Sequence, residues 1–284
     1  MTTAVRVVTT VINLKLIECV QRSRRGTPGY GLLAIMRVLV YALLAECYTT
    51  RKLRRHLRKR PEVVAQLGLV RLPHKRTLDR WRRRYQTELE VLIEHLGDIY
   101  VVQRGSRWTI LDSTPLEDEH DPDARIGHTS KGEFKGFKLH MSCDEDRVPL
   151  RAHFTTGNIS DISVAQHLLA NTPLTGGDAG YCAEWLKELC RARNSVPIFV
   201  DNPRRRGKAA KQPIWPPLKQ YRVCVEQCNS IVKTQTMKNL WTLTTGFFAK
   251  ATFTLAAVLA TQALAVFNLT TRNYPTIRMS EVRD

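Results

Sequence analysis

The sequence predicts an α/β protein in which a mixed sheet with flanking helices follows an all-helical N-terminal region. Residues 1 to about 100 combine the apolar spacing of helices with clusters of Lys and Arg. After residue 105, short apolar runs typical of strands alternate with helical segments. With 284 residues, the chain is long enough for one large domain or two modest ones.

The N-terminal region is predicted to contain several helices, two of them strongly basic. An apolar helix is predicted first, after the breaker run at 26–29. The predicted segments are Tyr30–Cys47, the basic Arg51–Arg60, the short Glu62–Leu67, the basic Lys75–Tyr85 and an amphipathic helix over 89–96.

The two basic segments favour contact with DNA, because each Lys or Arg on a phosphate displaces condensed counterions. We expect Lys75, Arg76 and Arg80 to contact DNA, and a helix-turn-helix with 75–85 as its recognition helix would explain the pattern. The alternative is a solvated cationic face that touches no DNA.

The overall charge also indicates a polyanionic partner. The chain has 44 Lys and Arg against 26 Asp and Glu, a formal net charge of +18. Its seven cysteines are scattered without CxxC spacing, which favours a reducing cytoplasm over a disulfide framework. Two apolar stretches, Tyr30–Cys47 and Ala251–Leu269, carry enough polar or charged residues to indicate buried helices, so no membrane association is expected.

The second half of the chain has the element order of a ribonuclease H-like fold, in which an antiparallel hairpin is extended by parallel strands with helices on both faces. The predicted strands are Ser106–Asp112, Phe134–Cys143, Val148–Thr156, Leu174–Asp178 and Val196–Val200, and the predicted helices are Ile162–Leu169, Cys182–Arg193, Gln220–Thr236 and a buried Ala249–Leu269.

Two acids end neighbouring strands of this predicted sheet. Asp112 closes the first strand and Asp178 closes the fourth, where adjacent glycines allow close packing and a tight exit turn. Strands one and four are neighbours in such a sheet, so the two carboxylates should lie side by side. Two adjacent acids repel one another unless cations lie between them, which predicts a metal site.

A third acid is expected from the helix that follows the last strand. Arg222, Glu226 and Lys233 have the spacing of one helix face. Glu226 could complete the metal site while the two basic residues hold DNA phosphates. On spacing alone, the alternative is an ordinary surface salt-bridge ladder.

Other acids and histidines compete with these three for a role at the site. The acids after the first strand indicate a mobile polar loop, one of which could assist a metal. Glu184 and Glu188 are interpreted as solvated helix residues, and His140 as structural. The loop acids are Glu117, Asp118, Glu119, Asp121 and Asp123.

Asp112, Asp178 and Glu226, which are 66 and 48 residues apart, resemble the DDE triad of insertion-sequence transposases. The run Arg222-x3-Glu226-x6-Lys233 is similar to the Tyr-Arg-Glu-Lys signature of that superfamily, although Lys219 stands where the signature has Tyr, and Tyr221 lies nearby. Further resemblances occur in order along the chain, at 30–85, 131–140, 157–161 and 177–181.

The resemblance implies a metal-dependent enzyme that cuts the ends of an insertion sequence and joins them to target DNA. It implies two Mg²⁺ or Mn²⁺ ions held by the three acids. It also implies double-stranded DNA as partner, both the terminal inverted repeats and the target, and a homodimer bound to that DNA. The expected location is the cytoplasm of a prokaryote, in association with the nucleoid. We also expect a basic loop, Arg204, Arg205 and Arg206, to grip the DNA backbone near the site.

The predicted domains are a helical N-terminal domain over 1–103, a ribonuclease H-like catalytic domain over 104–273 and a tail over 274–284. Only 47 residues separate Asp178 from Glu226, so we expect a compact core without the β-rich insertion of some family members. The alternatives are a transposase-derived DNA-binding protein that does not cut, and a nuclease without strand transfer.

Overall fold

A computed structural model describes residues 2–18, 30–129, 132–200 and 216–282 of the chain. Within these ranges the α-helices are Thr3–Val11 (α1), Leu14–Glu18 (α2), Leu32–Leu44 (α3), Thr50–Arg58 (α4), Pro61–Gln66 (α5), Lys75–Trp81 (α6), Gln86–Arg104 (α7), Asp161–Val164 (α8), Glu184–Ala192 (α9), Pro216–Ser230 (α10) and Phe247–Arg272 (α11). The strands are Trp108–Glu117 (β1), Arg125–Thr129 (β2), Gly132–Cys143 (β3), Pro149–Thr156 (β4), Leu174–Gly177 (β5) and Val196–Phe199 (β6).

The chain forms two compact units, and each contains parts of α7. The first unit comprises residues 1–96 and 231–284, and the second comprises residues 97–230. These units group α11 with the N-terminal helices, whereas the predicted catalytic domain, 104–273, includes it. The boundaries 1–103, 104–273 and 274–284 therefore remain a prediction about functional domains.

The first unit is built around α11, which packs against α1 and α3. Its residues from Ala249 to Asn268 are buried, and the Gln262 amide donates to the Ile93 carbonyl at 3.0 Å. By length and composition α11 could cross a membrane, but its apolar stretch is entirely buried within the protein. A buried helix of this kind is typical of a protein core.

The basic helices of the first unit are amphipathic, as their sequences predict. In α4, Leu53 and Leu57 are buried, while Arg51, Lys52 and Arg55 are exposed. The Thr49 side chain accepts from the Lys52 amide at 3.1 Å and caps the helix. Packing of the two leucines therefore fixes the helix and leaves a row of cations in solvent.

The second unit contains a mixed sheet with the topology predicted from the element order. β3 pairs antiparallel with both β1 and β4, and β1, β5 and β6 are parallel neighbours. Helices α8 and α9 belong to one face, and α10 packs on β1 and β3. The ribonuclease H-like α/β fold is therefore confirmed.

Two features at one edge of this sheet differ from the prediction. β1 does not end at Asp112 but continues to Glu117, and the additional strand β2 pairs with the first half of β3. Both differences follow from the length of β3. β5 pairs with only four residues of β1, and residues 136–141 of β3 pair with the part of β1 that lies beyond them. Pro115 is tolerated in this part of β1, where the parallel neighbour has ended.

Candidate active site

Asp112 and Asp178 lie at equivalent positions on neighbouring parallel strands. Leu111 of β1 is in register with Gly177 of β5, and Asp112 and Asp178 are the residues that directly follow these two. Asp112 is paired with Met141 of β3, so the two side chains lie on the same face of the sheet. Helix α10 packs on this face. The pairing of β1 with β5 thus brings together two carboxylates that are 66 residues apart in sequence.

The turn after β5 fixes the backbone around Asp178. The Asp178 carboxylate accepts from the Gly180 amide at 2.8 Å and begins a short 3₁₀ turn over Ala179–Tyr181. A Cβ on Gly180 would lie 3.0 Å from Asp178 Oδ1, and one on Gly177 would lie 3.1 Å from the Tyr181 ring. A side chain at either position would therefore press on its neighbour, although neither glycine has an unusual backbone angle.

Helix α10 supplies the third acid and the neighbouring arginine. Val225 and Cys228 are buried, whereas Glu226 is exposed and Arg222 is half-buried. Tyr221 packs on Trp108 at the start of β1, with ring centroids 4.4 Å apart. Tyr221, which is displaced from the position of the signature tyrosine, therefore anchors α10 to the strand that carries Asp112.

The electrostatics of Asp112 indicate that these charged groups influence one another. Burial, with a smaller contribution from the charges of Asp178 and Glu226, raises the pKa of Asp112 to about 7. The Ser113 backbone N–H and the charge of Arg222 act in the opposite direction. Asp112 is thus a partly buried acid surrounded by like charges that one arginine only partly offsets.

Asn229 belongs to the same cluster, although no sequence motif singled it out. Its side chain is buried, and Nδ2 donates to Asp112 Oδ2 at 2.9 Å. Helical spacing could have identified Asn229, because it lies three residues after Glu226 and so shares its side of α10. The partner acid, 117 residues away, cannot be identified by spacing.

The donor chemistry of Asp112, Asp178 and Glu226 fits a hard divalent cation, which prefers carboxylate oxygens. Such an ion would offset the like charges that raise the pKa of Asp112. Among the described residues, however, no group of three His, Cys, Asp or Glu side chains converges closely enough to hold an ion.

The remaining predicted DNA contacts belong to the first unit or lie outside the described residues. Lys75, Arg76 and Arg80 are exposed on α6 of the first unit. Lys233 lies in a π-helical segment, Ile231–Thr236, with its ammonium 5.5 Å from the Trp241 ring centroid. The basic loop residues Arg204, Arg205 and Arg206 lie outside the described residues.

His140 and the competing acids have other surroundings. His140 is buried, its Nε2 lies 2.8 Å from Thr155 Oγ1, and burial lowers its pKa to about 4, so it is neutral near pH 7. Asp121 is buried and accepts from the Asp123 amide at 3.0 Å, which makes it part of an ordered turn. Glu184 is exposed and pairs with Arg191 at 3.2 Å, as a solvated helix residue would.

Two transposase family models match this chain. Residues 103–261 match the transposase DDE domain model, and residues 2–84 match a transposase domain known as DUF772. A cryo-EM structure of the piggyBac transposase synaptic complex with hairpin DNA is 10% identical with a TM-score of 0.43, covering 98% of this chain and 75% of that chain. No curated protein matches the chain. Because the DDE model spans more than half of its length, the chain belongs to the transposase DDE domain family.

Proposed function

We propose that this transposase-family protein cuts the ends of an insertion sequence and joins them to target DNA in a divalent-metal-dependent reaction. The proposal depends on one observation. Asp112 and Asp178 follow paired residues of parallel strands, and Glu226 lies on the helix that packs over Asp112. A cluster of like charges at the sheet is costly to fold and has no use in a protein that only binds DNA.

Asp112, Asp178 and Glu226 are the proposed ligands of two Mg²⁺ or Mn²⁺ ions. Bound ions would activate the attacking hydroxyl and stabilise the leaving oxygen of the phosphodiester. Arg222, whose charge already acts on Asp112, would neutralise a non-bridging phosphate oxygen at the same place. A water would attack the phosphodiester at the element end and break its P–O3′ bond, which leaves a 3′-OH and a 5′-phosphate. That 3′-OH would then attack a phosphodiester of the target strand and displace the target's own 3′-OH.

The exposed cations of the first unit support the proposed DNA contacts. A shallow depression on and after α6 is lined by Arg76, Asp79, Arg80, Arg83 and Arg84. Four guanidinium groups around one acid leave net positive charge for a phosphate backbone. Lys75 extends this surface, and Arg204, Arg205, Arg206 and Lys233 remain proposed contacts.

The assembly and location are also proposals. Joining two element ends requires both ends to be held at once, so we propose a homodimer bound to terminal inverted repeats. A strongly basic DNA-acting protein with scattered cysteines suits the nucleoid of a prokaryotic cytoplasm.

Nicking of supercoiled plasmid by the full-length protein tests the proposed chemistry. We expect nicking with Mg²⁺ or Mn²⁺, none with EDTA, and a loss of about 10²–10³-fold or more in Asp112→Asn, since one electrostatic group at such a site is worth about that much. Glu188→Gln is the matched control, because Glu188 is exposed on α9. Full nicking by Asp112→Asn would refute the assigned site.

A strand-transfer assay with labelled element ends separates the remaining alternatives. Joined products support the transposase proposal, and cut ends that never join identify a nuclease without strand transfer. DNA binding without any metal-dependent cutting would instead identify a transposase-derived binding protein.

A further inference from the structure

Asn229 holds the Asp112 carboxylate from the same helix that carries Glu226. The Asn229 side chain is buried, with 5% of its surface exposed, and Nδ2 lies 2.9 Å from Asp112 Oδ2. The Ser113 backbone N–H is a second donor to this carboxylate. Two donors from different elements restrict how the carboxylate can rotate.

The orientation of the Asn229 amide follows from its neighbour. A reversed amide would place Oδ1 against a carboxylate oxygen, and two acceptors repel each other, so Nδ2 must face Asp112. Asn229 Oδ1 is then buried, and no donor among the described residues reaches it. Buried carbonyl oxygens are normally hydrogen-bonded, so Oδ1 has capacity for a water molecule at the site.

We propose that Asn229 is a positioning residue for the metal-binding carboxylate of Asp112, an inference that rests on the proposed function. Its amide N–H fixes one oxygen of Asp112, so that the carboxylate presents a defined edge to a divalent cation. Its free Oδ1 accepts from a water that fills the site. The amide is neutral, so it orients Asp112 without supplying a positive charge that would compete with the ion.

Mn²⁺ titration of the full-length protein tests this role. Asn229→Leu keeps the approximate shape and removes both polar atoms, and Gln227→Leu is the matched control because Gln227 is an exposed amide on the same helix. We measure the Mn²⁺ dissociation constant from the electron paramagnetic resonance signal of free Mn²⁺, without DNA. We also measure the Mn²⁺ concentration that gives half-maximal plasmid nicking.

We expect Asn229→Leu to raise both Mn²⁺ values by about 10–100-fold, as the loss of an outer-shell partner of a metal ligand does. Gln227→Leu should stay within about threefold of the wild type. Saturating Mn²⁺ should restore most of the maximal nicking rate, which a merely misfolded variant would not regain. Circular dichroism melting checks the fold, and Asn229→Ala replaces the leucine variant if the latter melts below the assay temperature.

Two results are decisive in opposite ways. If the folded Asn229 variant binds Mn²⁺ like the wild type while Asp112→Asn loses binding and nicking, the positioning role is wrong and the proposed function stands. If Asp112→Asn itself keeps Mn²⁺ binding and nicking, the proposed function fails and the inference fails with it.

Discussion

Replacing Asp112 by Asn should stabilise the metal-free protein at neutral and alkaline pH. Burial, together with the charges of Asp178 and Glu226, raises the pKa of Asp112 from 3.8 to about 7. The folded state therefore holds this proton more tightly than the unfolded chain, and an ionised Asp112 lowers the free energy of unfolding. An asparagine at this position carries no charge and can still accept from Asn229 Nδ2.

The size of this effect follows from the pKa. A rise from 3.8 to about 7 corresponds to about 4 kcal/mol, because a tenfold change in proton affinity is worth about 1.4 kcal/mol. Asp112 is only partly buried, so solvent screening reduces the expected gain to about 1–3 kcal/mol. At about 2–4 °C per kcal/mol, the melting temperature of Asp112→Asn should rise by about 2–12 °C.

The pH dependence distinguishes this cause from a general packing effect. With the folded pKa above the unfolded one, the penalty of Asp112 is absent below about pH 4, grows as the pH rises and is complete above about pH 7. The gain in Asp112→Asn at pH 4 should therefore be less than half of that at pH 8. Circular dichroism melting in EDTA at both pH values measures it, with Glu188→Gln as control. A gain that is absent at pH 8, or equal at both pH values, would refute the reasoning.

Substitutions at four other positions test the remaining assignments. The double variant Arg76→Gln, Arg80→Gln should bind any DNA duplex more weakly than the wild type. The slope of log affinity against log salt should fall in magnitude by about 1.8, because each lost phosphate contact removes about 0.9. Fluorescence anisotropy measures the slope, and an unchanged slope would contradict the assignment. Arg82→Gln should instead lower the melting temperature and leave the slope unchanged, because its guanidinium donates to a backbone carbonyl at 2.6 Å. Tyr221→Ala should lose about 1–2 kcal/mol of stability in urea unfolding through its contact with Trp108, whereas Tyr221→Phe should lose little; equal losses would contradict the packing role.

The strand order and the proximity of two acids could be predicted from sequence because both depend on short-range patterns. The alternation of Phe137, Leu139 and Met141 marks a strand with one buried face, and the three residues are indeed buried. An acid directly after an apolar run marks the end of a buried segment. Once Leu111 and Gly177 are assigned to neighbouring parallel strands, the proximity of Asp112 and Asp178 follows from the topology.

The continuation of β1 and the presence of β2 could not be predicted, because they depend on pairing between distant residues. Residues 117–123 are rich in acids, which favours a loop on local grounds. On either side of this loop, Thr114–Glu117 and Arg125–Thr129 nevertheless form strands, because both segments pair with the first half of β3. The change from α- to π-helical geometry at Ile231 likewise has no signal in residue spacing.

A neutral amide beside Asp112 suits a carboxylate that must bind an ion better than a cation would. A lysine or second arginine at position 229 would lower the pKa of Asp112 and relieve the repulsion, but its charge would also oppose an incoming metal ion. Asn229 orients the carboxylate and leaves the negative charge of the cluster in place. The cluster therefore keeps the repulsion that raises the pKa of Asp112, and that same uncompensated charge gives a divalent ion its driving force to bind.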